Sequence, residues 1–327
     1  MVVLPAMSPP LPLIILLSTL PAVTGLMSAA PSQAAPRQGS GLVCAIDMGS
    51  NTFRRIVGSF GNGEYAQQTI EKKTMGVGDD VAQHGRISAA KLAGIREVLS
   101  AFRSACVKDG ATRVAAIGTA AFRDASNGAA VIDIAASVGV PMEIASEQRE
   151  SELAYLVGSL GRDGDAVIDH GSRSIELVSK TAGTLRHSVS TLGYRIAYEK
   201  FFAAATDPIA AINGYRDHLR REASKASFMK GKRALVGVEF GDMIEVLFDS
   251  GAAAKGGLTL QQLRERLRRI TAAGPSGFKT LKQSTNIDRA LPRLVAAEFL
   301  IEAFGYSSIE LTDRELGSGL IIEAGAR

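Results

Sequence analysis

The stretch Ala45-Ile46-Asp47-Met48-Gly49-Ser50-Asn51-Thr52-Phe53-Arg54 decides how this chain folds. An apolar run from Gly41 to Ile46 leads into it, and Phe53 to Gly58 resumes the apolar pattern. The stretch reads as strand, tight glycine turn and return strand, a hairpin rather than a strand-to-helix crossover. That distinction sets aside two common phosphate sites. A glycine turn entering a helix would indicate a dinucleotide fold or a P-loop, and neither GxGxxG nor GxxxxGK[ST] occurs.

Moving outward, the same unit returns in the second half of the chain. Ala166-Val167-Ile168 is a short apolar strand, Asp169-His170-Gly171-Ser172-Arg173-Ser174 its turn, and Ile175 to Ser179 the return strand. Between the two units, Ser88 to Val107 carries a helical stripe of Leu92, Ile95, Val98, Leu99 and Phe102, with Ser88 as N-cap. Val114 to Ile117 and Val140 to Ala145 read as strands, Thr119 to Asp124 as a loop, and Ala129 to Ser137 and Glu147 to Leu160 as helices. Alternating strands and helices define an α/β class. After the second hairpin, helices are expected at Asp207 to Ala223, Leu258 to Ile270, Pro292 to Phe304 and Gly317 to Ala324. Strands are expected at Ala234 to Val238 and Ser308 to Leu311. Gly161-Arg162-Asp163-Gly164 marks a boundary. The expected organisation is an apolar extension over 1–40, a first lobe over 41–163 and a second over 164–327. Two related halves facing each other bring both turns to one interdomain cleft.

A chain of 327 residues buries a large core and divides into about two domains. Its 46% hydrophobic and 21% charged residues are ordinary for a globular protein. The absence of Trp, the 6% aromatic content and the lack of basic–aromatic interleaving argue against nucleic-acid recognition. The net charge is +4, with basic clusters at Arg216 to Arg233 and Arg264 to Arg269. These either attract a polyanion or form solvated helix faces. Cys44 and Cys106 are too few and too isolated for a disulfide framework, and no CxxC or Cys/His cluster points to zinc. Leu11 to Met27 followed by Ser28-Ala29-Ala30 and Ala34-Ala35 resembles a signal-peptide core with its cleavage region. Against that, no Lys or Arg precedes it, prolines interrupt it, and it is short for a membrane span. An unused upstream start is the competing reading. The expected location is cytoplasmic, with export the alternative.

An acid beside a phosphate requires a cation between them, so Asp47 and Asp169 read as Mg²⁺ ligands. Gly49, Ser50, Gly171 and Ser172 offer close backbone approach and donors. Glu150 and Glu176 are candidates to orient or deprotonate an attacking water, although composition alone places Glu150 on a solvated face. Arg54, Arg123 and Arg195 carry the guanidinium fork that suits phosphate, or make surface ion pairs. His170 has no visible partner that would make it a base.

Taken together, these segments resemble the exopolyphosphatase and guanosine pentaphosphate phosphohydrolase family. The likeness runs from Ala45–Arg54 through Gly76, Gly85-Arg86-Ile87-Ser88, Gly118–Asn127 and Ser146–Leu153 to the turn at Asp169. It is weaker at Leu192–Arg195, Leu258–Leu267 and Leu311–Leu320. The resemblance implies a two-lobed fold of the actin, sugar-kinase and Hsp70 type, and Mg²⁺-dependent release of terminal phosphate from a polyanion. It implies Glu150 as base, assisted by Asp169 and Glu176, with Asp47, Asp169 and Glu176 toward the metal. Phosphate contacts are expected from Gly49, Ser50, Asn51, Arg54, Arg123, Gly171, Ser172, Arg173 and Ser174. The substrate implied is polyphosphate or a phosphorylated guanosine nucleotide, and a protein that binds these without hydrolysing them is the alternative. A sugar or acetate kinase is a distant third reading.

Departures from the family pattern are clear. Ser172 and Arg173 replace glycines of the second turn, and Glu147 and Arg149 alter the segment before Glu150. Glu239 falls where relatives carry a Gly-Gly-Thr turn, and Leu291 and Ala297 replace an Asp and a Gly. Longer relatives add helical domains that hold long polyphosphate. Without them, a short polyphosphate or a nucleotide is easier to accommodate, and a homodimer would rebuild a channel.

Overall fold

The structure, a computed structural model, describes residues 41–248 and 257–326. The apolar extension over 1–40 lies outside these residues. Five strands form the first sheet: β1 (Val43–Met48), β2 (Thr52–Gly61), β3 (Glu64–Thr74), β4 (Arg113–Gly118) and β5 (Met142–Ile144). Their order is β3-β2-β1-β4-β5. The first three run antiparallel, whereas β4 lies parallel to β1 and β5 parallel to β4.

The second sheet repeats this plan. It contains β6 (Ala166–His170), β7 (Ile175–Thr181), β8 (Thr184–Ser190), β9 (Leu235–Val238), β10 (Leu258–Thr259) and β11 (Ser308–Thr312). Its order is β10-β11-β9-β6-β7-β8, with β6, β7 and β8 antiparallel and β9 and β11 continuing in parallel. Each hairpin expected from sequence is therefore present and extends into a third strand. All residues of β1 and β6 are buried, which explains why both read as apolar runs rather than alternating patterns.

Helices cover the sheets. The first group is α1 (Val77–His84), α2 (Ala89–Lys108), α3 (Ala120–Asp124), α4 (Ala130–Ser137) and α5 (Glu147–Ser159). Next come α6 (Tyr194–Ala197), α7 (Pro208–Lys225), α8 (Gly241–Leu247), α9 (Leu260–Ala272), α10 (Gly274–Leu281), α11 (Ile287–Phe304) and α12 (Ser318–Ala326). Ser88 caps α2 as expected, its hydroxyl accepting the Lys91 N–H. α5 packs on β6, β7 and β9, while α12 returns to β1 and β2. The chain thus exchanges one helix in each direction across the Gly161–Gly164 crossing.

Three local readings need correction. Thr119 to Asp124 is not an open loop, because burial of Ala121 and Phe122 closes it into α3. α11 begins at Ile287, so Pro292 stands inside the helix rather than at its start. Cys44 of β1 and Cys106 of α2 are joined by a disulfide despite their isolation in sequence. β1 brings Cys44 against α2, a long-range contact that residue spacing does not reveal. Both cysteines are fully buried.

Candidate active site

Directly opposite residues of an antiparallel pair project from the same face. On the first hairpin this sets Asp47 opposite Arg54, and on the second it sets Asp169 opposite Glu176. These four side chains line one cavity of about 70 Å³. Gly49, Ser50 and Asn51 line it from the first turn, and Gly171, Ser172, Arg173 and Ser174 from the second. Glu150, from the first turn of α5, lines the cavity as well, whereas Arg123 of the expected set is not among its lining residues.

Each turn is held from its carbonyl side. Ser50 O accepts the Gly78 N–H at 2.7 Å, and Asn51 O accepts those of Met75 and Gly76 at 2.7 and 3.0 Å. On the second turn, Gly171 O accepts the Tyr194 N–H at 2.9 Å and Ser172 O that of Arg195 at 3.2 Å. Among the described residues, no backbone carbonyl takes the N–H groups of Ser50, Asn51, Ser172 or Arg173. Such N–H groups in a turn suit an anion.

The loss of glycines at Ser172 and Arg173 does not strain the second turn. No residue from Gly49 to Asn51 or from Gly171 to Ser174 has a positive φ. The close approach is supplied from outside the turn by Gly193, where a Cβ would come within 2.5 Å of Arg173 N and 2.4 Å of Ser174 N. Arg173 itself reaches across the cleft to Asp124 at 3.4 Å.

Electrostatics separates the two hairpins. The Arg54 guanidinium lies 3.7 Å from Asp47 and 2.9 Å from Glu315, and its other end is 3.9 Å from Glu239. Burial still pushes the Asp47 carboxyl up to about 7, against the pull of Arg54, with Glu239 and Glu150 adding to the rise. Asp47 also accepts the Gly317 N–H at the approach to α12. A Cβ at Gly317 would stand 2.9 Å from Asp47 Cβ, so only glycine admits this contact.

The second hairpin faces a carboxylate with a carboxylate. Burial raises Asp169 well above the usual range, and Glu239 and Glu176 raise it further against Arg293. Glu176 is pushed to about 8 by burial and by Glu150, opposed by a hydrogen bond from Ser174. Asp169 Oδ1 is buried without a hydrogen-bond partner. An orphaned acceptor between repelling acids is a place for a cation, a proton or a water donor.

Glu150 is buried at 7% exposure, not solvated as composition implies. Ser146 caps α5 and accepts the Arg149 N–H at 3.1 Å, which aims the helix start at the cleft. Arg123 donates to the Glu150 carboxylate and, at 2.8 Å, to Ala145 O. Burial raises the Glu150 pKa while Arg123 opposes the rise. Arg123 thus contacts the expected base. Arg195 is engaged by Asp79 at 2.6 Å and Glu199 at 3.2 Å. His170 is fully buried, and burial with nearby Arg293 keeps its imidazole neutral.

Sequence reasoning missed Arg293, Glu315 and Lys72. Arg293 sits on α11, 2% exposed, donating to His170 O at 2.9 and 3.2 Å and lying 4.4 Å above the Tyr194 ring. Lys72 reaches Glu315 at 2.6 Å. Arginine after a proline carries no helix-interior signal, and Glu315 has no motif around it.

Asp47 and Asp169 both line the cavity and are the acids that would receive a cation there. Among the described residues, no three His, Cys, Asp or Glu side chains converge on one point as a ready-made metal cage. That arrangement does not exclude Mg²⁺, which keeps several waters and is held by one or two carboxylates together with substrate phosphates. The orphaned Asp169 oxygen and the raised carboxyls fit such an ion.

Two sheets of repeated plan, with paired turns and acids lining one cavity between them, define a two-lobed α/β protein. Residues 61–323 match the Ppx/GppA phosphatase family, and the chain belongs to it. An Aquifex aeolicus member of that family is similar in structure, with a TM-score of 0.73 and 20% identity over 87% of this chain and 97% of the other. An exopolyphosphatase from Cytophaga hutchinsonii has a TM-score of 0.66 and 18% identity over 87% and 98%. A comparison with curated proteins finds no match.

Proposed function

We propose that this chain is a Mg²⁺-dependent hydrolase that releases terminal phosphate from polyphosphate or a related phosphoanhydride. The supporting observation is the buried Glu150, aimed by a capped helix into the cavity that Asp169, Glu176 and both turns also line. In this reading the turn N–H groups and Arg173 orient the terminal phosphoryl group. Glu176 and Ser174 position a water. Glu150 takes its proton as the water oxygen bonds to phosphorus. The bridging P–O bond breaks, leaving orthophosphate and a chain one phosphate shorter. Asp47 and Asp169, with Glu176 through water, would hold Mg²⁺, which supplies positive charge against the charge developing on the phosphoryl group. A base with a raised pKa suits proton transfer near neutral pH.

The test is phosphate release from tripolyphosphate with Mg²⁺, comparing the protein with Glu150→Gln. A loss on the order of 10²–10⁴ is expected, with tripolyphosphate binding retained. Equal release by both proteins would remove Glu150 from the mechanism. Binding without release by either favours the second reading, a polyphosphate- or guanosine-phosphate-binding regulator. The observation in its favour is Glu239, an additional acid in the cleft.

We also propose export rather than a cytoplasmic location. The Cys44–Cys106 bridge and the leader-like Leu11 to Ala35 segment support it, because disulfides persist in oxidising compartments. Protein recovered from its native cell should begin near Ala35 and present no free thiol. An intact Met1 with two titratable thiols would contradict export.

A further inference from the structure

Arg149 stands where helix electrostatics disfavours it. Ser146 is the N-cap of α5, so Arg149 is the third residue of the helix and donates the N–H that the Ser146 hydroxyl accepts. A glutamate or glutamine at that position would return a hydrogen bond to the cap, which an arginine does not. Its charge also lies at the end of the helix dipole that repels cations. Glu323, near the C-terminal end of α12, has the converse problem, an acid at the negative end.

The two misplaced charges meet each other. Arg149 Nη1 and Nη2 donate to the two carboxylate oxygens of Glu323 at 3.0 and 2.9 Å, across 174 residues of sequence. Arg149 Nε donates to Glu143 of β5 at 3.0 Å, and Glu152 stands 3.7 Å away. A lone surface pair contributes little, but a bidentate fork within a network of acids holds one geometry. The Arg149 side chain is 20% exposed and does not line the cavity.

Both anchors belong to the first lobe. Glu143 sits beside Ile117 in the first sheet, and α12 packs on β1 and β2 of that sheet. α5 packs on β6, β7 and β9 of the second sheet. Arg149 therefore ties the start of a helix carried by one sheet to the sheet that holds Asp47, at the residue immediately before Glu150. Farther along α5, Leu153 and Ala154 are buried with Leu320 and Ile321 of α12, so the ionic strut continues an apolar crossing of the two helices. Helix starts fray unless something holds them.

We propose that Arg149 is a positioning residue for the hydrolysis: anchored on Glu323 and Glu143, it fixes the first turn of α5 and so holds the Glu150 carboxylate in place across the two lobes. The proposal rests on the reading of Glu150 as the base. Displacing a reacting group by about 1 Å can cost about a hundredfold in rate, so such a strut acts on turnover more than on binding.

Tripolyphosphate hydrolysis with Mg²⁺ tests this on the full chain, Arg149→Met, Arg149→Lys, Glu323→Ala and the Arg149→Met/Glu323→Ala double variant, with amide hydrogen exchange measured on each. Arg149→Met should lower kcat at least about tenfold while moving KM less than about threefold. Glu323→Ala should act in the same direction, and the double variant should be no slower than Arg149→Met. Arg149→Lys should recover part of the loss, since it keeps the charge without the fork. In Arg149→Met, exchange should quicken about tenfold or more at the amides of Glu150 to Leu153 and stay unchanged in α2, the mark of local loosening. Unchanged kcat, a KM rise at constant kcat, additive losses in the double variant, or exchange that quickens equally in α2 would overturn the strut while the hydrolase reading stands. No phosphate release by any of the proteins would remove the hydrolase reading and the positioning role with it.

Discussion

The two hairpins share a plan and differ at the register pair that faces the cavity. At the first, Asp47 stands opposite Arg54, and at the second, Asp169 stands opposite Glu176. One carboxylate therefore has a guanidinium opposite it, and the other faces a second acid. The first hairpin is nearer the family pattern, and its Asp47 is raised by burial although Arg54 opposes the rise. The second has lost glycines, yet it holds the unsatisfied oxygen and the raised carboxyls that chemistry needs. The missing glycines are not the deficit they resemble in sequence, because the turn has no left-handed residue to accommodate.

Substitution at the two equivalent positions should move stability in opposite directions. Arg54→Met leaves Asp47 without its cation, and leaves Glu315 with Lys72 and Glu239 with Arg293 as remaining partners. A loss of about 3–5 kcal/mol in urea unfolding is expected. Glu176→Gln removes the charge that opposes Asp169. Metal-free protein carrying it should gain roughly 1–2 kcal/mol at pH 8, and its stabilisation by Mg²⁺ should shrink. If both substitutions destabilise to the same extent, the hairpins do not differ in the way described.

The pH profile sharpens the same contrast. Raised carboxyl pKa values mean that the folded protein holds protons the unfolded chain has released. That contribution is complete below the ordinary values near 3.8 for Asp and 4.5 for Glu. It is lost as pH rises through about 7 for Asp47 and about 8 for Glu176 and Glu315. Glu239 has the opposite sign, contributing above 4.5 and losing its effect as pH falls through about 2. The melting temperature of metal-free protein should therefore fall across the neutral range, and Mg²⁺ should offset the fall. A melting temperature that rises steadily through neutrality would contradict the burial of these acids.

The smallest effect belongs to Arg173. Its pairing with Asp124 is half exposed, and Arg173→Ala should cost no more than about 1 kcal/mol. A larger effect on tripolyphosphate affinity than on stability would assign the guanidinium to the ligand.

Much of the fold was legible because it is local. Strand, glycine turn and return strand are short-range signals, and the fully buried β1 and β6 read as unbroken apolar runs. The site was legible where a motif carried it, as at Asp47 and Asp169. Glu150 was hidden inside Glu147–Glu152, since a charged first helical turn reads as solvent until the cleft it faces is known. Arg293 and the cysteine bridge depend on which helix packs on which sheet, information that spacing along the chain does not contain.

Whether the altered second turn supports hydrolysis is read from the rate of phosphate release from tripolyphosphate with Mg²⁺ by this protein beside Ser172→Gly/Arg173→Gly. Turnover by the natural sequence is expected, with a change of no more than about tenfold on restoring glycine, since no backbone strain is relieved. An inactive natural sequence that becomes active with the two glycines would contradict it.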